Sequence, residues 1–147
     1  MTGGFEELIE SAQYHQLLPG APPPLNPPAR PYRAAVVVEA AVTDEFRNAI
    51  AEWLVKTGCL YMVAWGDQCS EWDDAVDWAN LEDTNFEEIP DDRFVMTTWH
   101  AQESLAESIW FAKHVALHPH VPLERNLILH ISDADKACEL LELWKNA

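Results

Sequence analysis

From residue 33 onward the chain alternates short valine- and leucine-rich runs with longer amphipathic segments, and this alternation restricts its folds more than any other feature. RAAVVVEAAV (33–42) is a continuous apolar run, the pattern of a strand buried on both faces. Thr43 then reads as a helix cap, with Asp44 and Glu45 in a first turn where the helix dipole favours negative charge. Phe46, Ile50, Trp53 and Leu54 recur at helical spacing, Lys56 occupies the last turn and Gly58 is the stop. CLYMVAW (59–65) is a second strand ending at Gly66. Ser70 predicts the cap of a second helix running to about Leu81, with Trp72, Ala75, Val76 and Ala79 on one side.

After the loop EDTNFEEIPDD, RFVMTTW (93–99) is the third strand. A helix expected over residues 103–116 buries Leu105, Ile109, Ala112 and Ala116, and HPHVP breaks it. NLILHIS (126–132) is the fourth strand. Ser132 predicts the last cap, with Asp133 and Asp135 in the first turn and Ala137, Leu140, Leu141 and Trp144 facing inward. Strands joined by helical crossovers lie parallel, because each crossover returns the chain to the end where the previous strand began, and such connections are right-handed. The expectation is a three-layer α/β sandwich with a four-stranded parallel sheet of order 2-1-3-4, flavodoxin- or Rossmann-like but truncated.

Ahead of it, FEELIESAQYHQLL (5–18) spaces Phe5, Leu8, Ile9 and Ala12 as a short helix would. Seven of the ten prolines follow between Pro19 and Pro31, which predicts an extended arm. Such an arm can be a ligand for an SH3-like module, but a stiff spacer is the favoured role for one this short. The division expected is residues 1–32 as helix and arm, and residues 33–147 as one α/β domain.

Charge excludes a class of partners. Acidic residues outnumber Lys and Arg by 25 to 9, for a net charge of −16, and eleven acids but no base lie between Lys56 and Arg93. Nucleic acid and anionic membrane both need clustered cations, so a basic protein surface is the natural complement. Hydrophobic residues make up 48% of the chain, enough for a packed core despite that charge. No run nears the roughly 18 apolar residues of a membrane span, and the acidic N-terminus lacks a signal peptide's basic start. A cytoplasmic protein is expected. Three cysteines without CxxC spacing argue against a disulfide framework or zinc ribbon. Cys59 reads as core packing, and Cys69 as a loop thiol beside a helix start.

Open parallel sheets bind ligands beyond the strands' carboxyl ends, where strand order reverses. In order 2-1-3-4 that point lies between the first and third strands. It gathers Glu39 and Thr43 with Thr97, Thr98, Trp99 and His100, flanked by Trp65, Gly66 and Asp67, with His130, Ser132 and Asp133 beyond. Glu39, Asp67, Thr98 and His100 are the catalytic candidates, a carboxylate beside an imidazole being sufficient for acid–base work.

No cofactor is expected. GxGxxG and GxxxxGK[ST] are absent, and Asp44 and Glu45 would repel phosphate from the first helix. Neither a GxSxG elbow nor the paired aspartates and lysine of a phosphorylation receiver occurs. No metal is expected either. Asp73, Asp74 and Asp77 read as a solvated helix face, and His114, His118 and His120 as a helix end broken by Pro119.

The stretch WGDQCSEWDDAVDW (65–78) instead suggests a docking surface made of Trp65, Asp67, Glu71, Asp73, Asp74, Asp77 and Trp78, with Trp99 beside it. The function expected is a non-enzymatic acidic module that docks a basic partner, in the manner of immunity or antitoxin-type inhibitors or of adaptors. The alternative is a small enzyme or small-molecule binder using the strand-end crevice. A homodimer through the N-terminal arm is a further expectation. WGDQCSEWDDAVDWAN (65–80) and RFVMTTWH (93–100) resemble a family of small Trp-rich bacterial proteins catalogued as a domain of unknown function. The resemblance covers most of the chain after the arm. It implies a bacterial cytoplasmic origin and brings no activity, cofactor or partner.

Overall fold

The computed structural model describes residues 11–147. Five strands form one sheet, all parallel, in the order β1-β5-β2-β3-β4. They are β1 (Gln13–Leu17), β2 (Tyr32–Val38), β3 (Cys59–Gly66), β4 (Met96–His100) and β5 (Arg125–Ile131). Three helices cross between β2, β3, β4 and β5 in turn, α1 (Asp44–Thr57), α2 (Cys69–Asp83) and α3 (Leu105–His114), and α4 (Ala137–Asn146) follows β5. One face of the sheet, carrying Val36, Met62 and Leu129, packs on Ile50 and Leu54 of α1 and on Trp72 and Val76 of α2. The other, carrying Val37, Val63 and Ile128, packs on Ile109 of α3 and Trp144 of α4. Every residue of β2 is buried, as the apolar run 34–38 requires of a central strand, and the buried Arg33 guanidinium is bonded to Asn126 and to the Ala116 carbonyl.

The α/β class and the parallel sheet agree with the sequence; strand number and order do not. The expected order sent the first two crossovers in opposite directions. Here both run the same way, which sets α1 and α2 side by side on one face, and the third returns over the other face to place β5 beside β2. The reversal therefore lies between β2 and β5, and β4 becomes an edge.

The added strand is β1, where a helix was expected. Residues 5–10 of that helix lie outside the described residues, and residues 13–17 pair with Leu127–Ile131 of β5. QYHQL lacks an apolar run because only Leu17 is buried in the core, while Tyr14 and Gln16 make hydrogen bonds instead. Gln13 and His15 both reach the Asn26 carbonyl, which ties the proline-rich segment back to this edge strand.

Thr43 and Gly58 bound α1 as expected, Thr43 Oγ1 accepting from Phe46 N and Gly58 standing at φ 100°. Other boundaries shift. Gln68, in left-handed conformation, precedes α2, so Ser70 lies inside that helix and Cys69 is buried rather than in a loop. Ser104 and Glu107 form a reciprocal capping box on α3, which begins later than Glu103. Ser132 does not cap α4. Its hydroxyl accepts from Ala134 N, Asp135 accepts from Ala137 N, and the helix starts at Ala137. Trp72 and Trp144 are core, but Trp110 is 51% exposed.

Candidate functional site

Two regions collect the polar and aromatic side chains that packing leaves over. The first lies at the carboxyl ends of β1, β5 and β2, at the reversal of strand order. His130 is fully buried on β5, two residues beyond Ile128 and on the same face of the sheet. Its Nδ1 lies 2.7 Å from Tyr14 Oη on β1, and its Nε2 lies 2.7 Å from Glu39 Oε1 just past β2. Tyr14 Oη also accepts from Lys136 N at 3.0 Å, and Lys136 Nζ lies 3.5 Å from Glu39 Oε1. With its proton on Nε2, the imidazole donates to Glu39 and accepts from Tyr14, and a continuous chain runs from phenol to carboxylate.

Burial works to raise the Glu39 pKa. The His130 hydrogen bond and the Lys136 ammonium outweigh it, and the carboxyl lies below its ordinary value. Tyr14 is raised by burial, against the Lys136 amide bond, so the phenol stays protonated. Glu39 and Lys136, with side chains 28% and 39% exposed, present charge to solvent here, beside the exposed Asp133 and Asp135.

The expected catalytic residues separate. Glu39 joins His130, a residue expected at the far side of the crevice. His100, at the end of β4, is buried; its Nδ1 lies 2.6 Å from Glu103 Oε2, its Nε2 lies 3.0 Å from Thr98 Oγ1, and its ring packs on Phe111. Thr98 and His100 thus form a second group, two strands or about 10 Å from Glu39 by ordinary strand spacing. Asp67 is exposed in the turn after β3, its amide bonded to the Val38 carbonyl. Tyr14 and Lys136 went unnoticed: the first sat in a stretch read as helix, the second in a helix start placed too early.

The second region is the outer side of α1 and α2. Asp74, Asp77 and Trp78 are exposed there, and Asp73 is half-buried. Carboxylate oxygens of Asp73, Asp74 and Asp77 lie within 4.8 Å of one another, the arrangement among the described residues that could hold a metal ion. Burial, then repulsion from Asp77, push the Asp73 carboxyl up to about 6, while Thr97 Oγ1 donates to Asp77 at 2.7 Å. Glu71 lies 3.2 Å from the buried Arg47. Trp65 is half-buried and donates its indole N–H to the Glu103 carbonyl. Trp99, on the edge strand, is 51% exposed.

Between the two helices runs a groove of about 380 Å³, floored by Ala49, Ala75 and Ala79. Trp78 and the carboxylates of Glu45, Glu52 and Glu82 line it. Trp78 packs edge-on against Phe86 at 5.2 Å, and Asn85 and Phe86 hold this geometry at φ 53° and 61°. A left-handed conformation is unfavourable for a residue as bulky as phenylalanine, so the exposed aromatic pair persists against local strain. Of these groove residues only Trp78 was among the expected docking residues. Glu45 and Glu52 recur seven apart on the outward side of α1, a periodicity the sequence does contain.

The model of one protein family matches residues 12–147. The chain belongs to DUF7684, a domain of unknown function. This agrees with the resemblance carried by the two tryptophan-rich strings. No curated protein and no solved structure matches the chain. Among the described residues no helix is long and apolar enough to cross a membrane.

Proposed function

We propose that this DUF7684 chain is a protein-binding module that docks a basic partner on the outer side of α1 and α2. The observation carrying this reading is the groove whose alanine floor admits a long side chain while Trp78, Glu45, Glu52 and Glu82 supply an indole and three carboxylates. An arginine entering it stacks on the indole and meets carboxylates, a combination worth about 0.5–2 kcal/mol from the cation–π contact alone. Asp74 and Asp77 extend the negative field along α2, where it accelerates association with a positive surface. The exposed Trp78–Phe86 pair provides the aromatic anchor typical of interface centres. The role that fits is an inhibitor of the immunity or antitoxin type, or an adaptor, acting in the bacterial cytoplasm. The proline-rich arm, with Leu25 94% exposed, offers a second contact to a neighbouring copy.

The test is a nuclear magnetic resonance titration of the protein with N-acetyl-arginine amide. The reading expects saturable shifts at the Trp78 indole and at the amides of Ala49, Ala75 and Ala79, weakened by salt and lost in Trp78→Ala. Shifts confined to other surfaces, or an equal response to N-acetyl-norleucine amide, count against it.

A second reading is ligand binding or acid–base chemistry at the strand ends. It is favoured by the Tyr14–His130–Glu39 chain at the reversal of strand order, where Lys136 supplies a cation beside a partly exposed carboxylate.

A further inference from the structure

The opposite end of the sheet holds the feature that neither reading uses. A cavity of about 530 Å³, within the range of small-molecule sites, opens beside the amino ends of β2 and β3. Val55, Leu60, Val95, Val121 and Pro31 supply apolar wall. Three of the chain's nine basic residues, Arg30, Lys56 and Arg93, line it as well, against two carboxylates, Asp83 and Asp92. Across the whole chain acids outnumber bases by 25 to 9, so a lining with more cations than carboxylates reverses the protein's overall balance.

Of the groups that would oppose an anion, Asp83 and the carboxyl end of α1 are already engaged, whereas Asp92 has no ion-pair partner among the described residues. Asp83 is paired with Arg93 at 2.8 Å. At the carboxyl end of α1, whose dipole would repel negative charge, Arg30 Nη2 donates to the Lys56 carbonyl at 2.8 Å, and the Gly58 amide takes the Leu54 and Val55 carbonyls. Arg30 is seated by packing: a Cβ at Gly58 would overlap the Arg30 side chain, so only glycine lets the segment close this wall. The Lys56 ammonium has no hydrogen-bond or ion-pair partner among the described residues. It is free to pair with a ligand.

We infer that this cavity binds a small amphipathic monoanion, its charged head on Lys56 and Arg30 and its apolar body along Val55, Leu60, Val95 and Val121. The three cations of the lining exceed its two carboxylates by one, so a head bearing a single negative charge, a carboxylate, is the matching class.

The test uses the full chain and three six-carbon probes, hexanoate, 1-hexanol and hexylamine, followed by amide shifts. Hexanoate is expected to shift residues 55–60 and 93–95 saturably, to bind at least tenfold more tightly than hexanol, and to lose about tenfold in affinity in Lys56→Gln. Lys56 is exposed, so that variant keeps the fold. The inference is overturned if hexanol or hexylamine binds as well as hexanoate, if Lys56→Gln leaves affinity unchanged, or if no shifts occur at these residues. The arginine titration is read at Ala49, Ala75, Ala79 and Trp78, and this one at the carboxyl end of α1 and at residues 93–95, so either result stands without the other.

Discussion

Replacing Tyr14 with Phe removes one oxygen that joins three elements of the fold. In the folded protein that oxygen meets His130 Nδ1 at 2.7 Å and accepts from Lys136 N at 3.0 Å. His130 has no exposed surface, so its Nδ1 would be left without a partner and without water, at a cost of about 1–3 kcal/mol. The Lys136 amide stands immediately before α4 and is only half-buried; losing its bond adds about 1 kcal/mol, since water can replace part of it. The sum, about 2–4 kcal/mol, is a large fraction of the roughly 5–15 kcal/mol that stabilises an ordinary domain. With an m-value of about 2 kcal/mol/M, the urea midpoint should fall by about 1–2 M. Native-state hydrogen exchange should quicken first in Gln13–Leu17 and at the start of α4, the segments this hydroxyl ties down. In the double variant Tyr14→Phe/His130→Leu the losses should be less than additive, because removing both partners leaves no orphaned nitrogen. An unchanged midpoint for Tyr14→Phe, or strict additivity in the double variant, would refute the hydrogen-bonded chain as a source of stability.

Three other outcomes follow from the geometry. The folded pKa of Glu39 lies below its unfolded value of about 4.3, so its contribution is complete above that pH and lost as pH falls through the folded value. Urea midpoints at pH 3 and 7 should therefore differ less in Glu39→Gln than in wild type. Asp73 has the opposite sign: with a folded value of about 6, it costs stability as pH rises from about 4 through 6. Asp73→Asn should raise the midpoint at pH 7 and remove that slope, and a lowered midpoint would show that the carboxylate is compensated. Gly66 stands at φ 105°, where an added Cβ would fall on the Val38 carbonyl of the neighbouring strand. Thermal melts of Gly66→Ala should report a loss of more than about 1 kcal/mol from backbone conformation alone.

The pattern of legibility has physical causes. β2 and β3 were readable because central parallel strands are apolar on both faces, and α1 because Thr43 and Gly58 mark its ends through local bonds. β1 was not readable. QYHQL has no apolar run, because Tyr14 and Gln16 are held by hydrogen bonds to His130 and Ser132, partners 116 residues along the chain. The start of α4 was misplaced because Ser132 and Asp135, residues that commonly cap helices, serve the turn that precedes this one. Strand order depends on which face each crossover takes, and two amphipathic helices carry no label for that choice. The site inherited the error: the expected crevice grouped Glu39 with His100 of the edge strand, but the imidazole beside Glu39 is His130 of the adjacent strand.

Docking of a basic partner at the α1–α2 groove is what we propose for this chain. Its most direct test is parallel capture of partners by the wild-type protein and by a Glu45→Lys/Glu52→Lys/Glu82→Lys variant, with affinity for the captured protein measured from low to high salt. A basic partner bound by wild type, weakened steadily by salt and absent from the variant, is the expected result. A partner that is acidic, insensitive to salt or retained by the charge-reversed groove would contradict it.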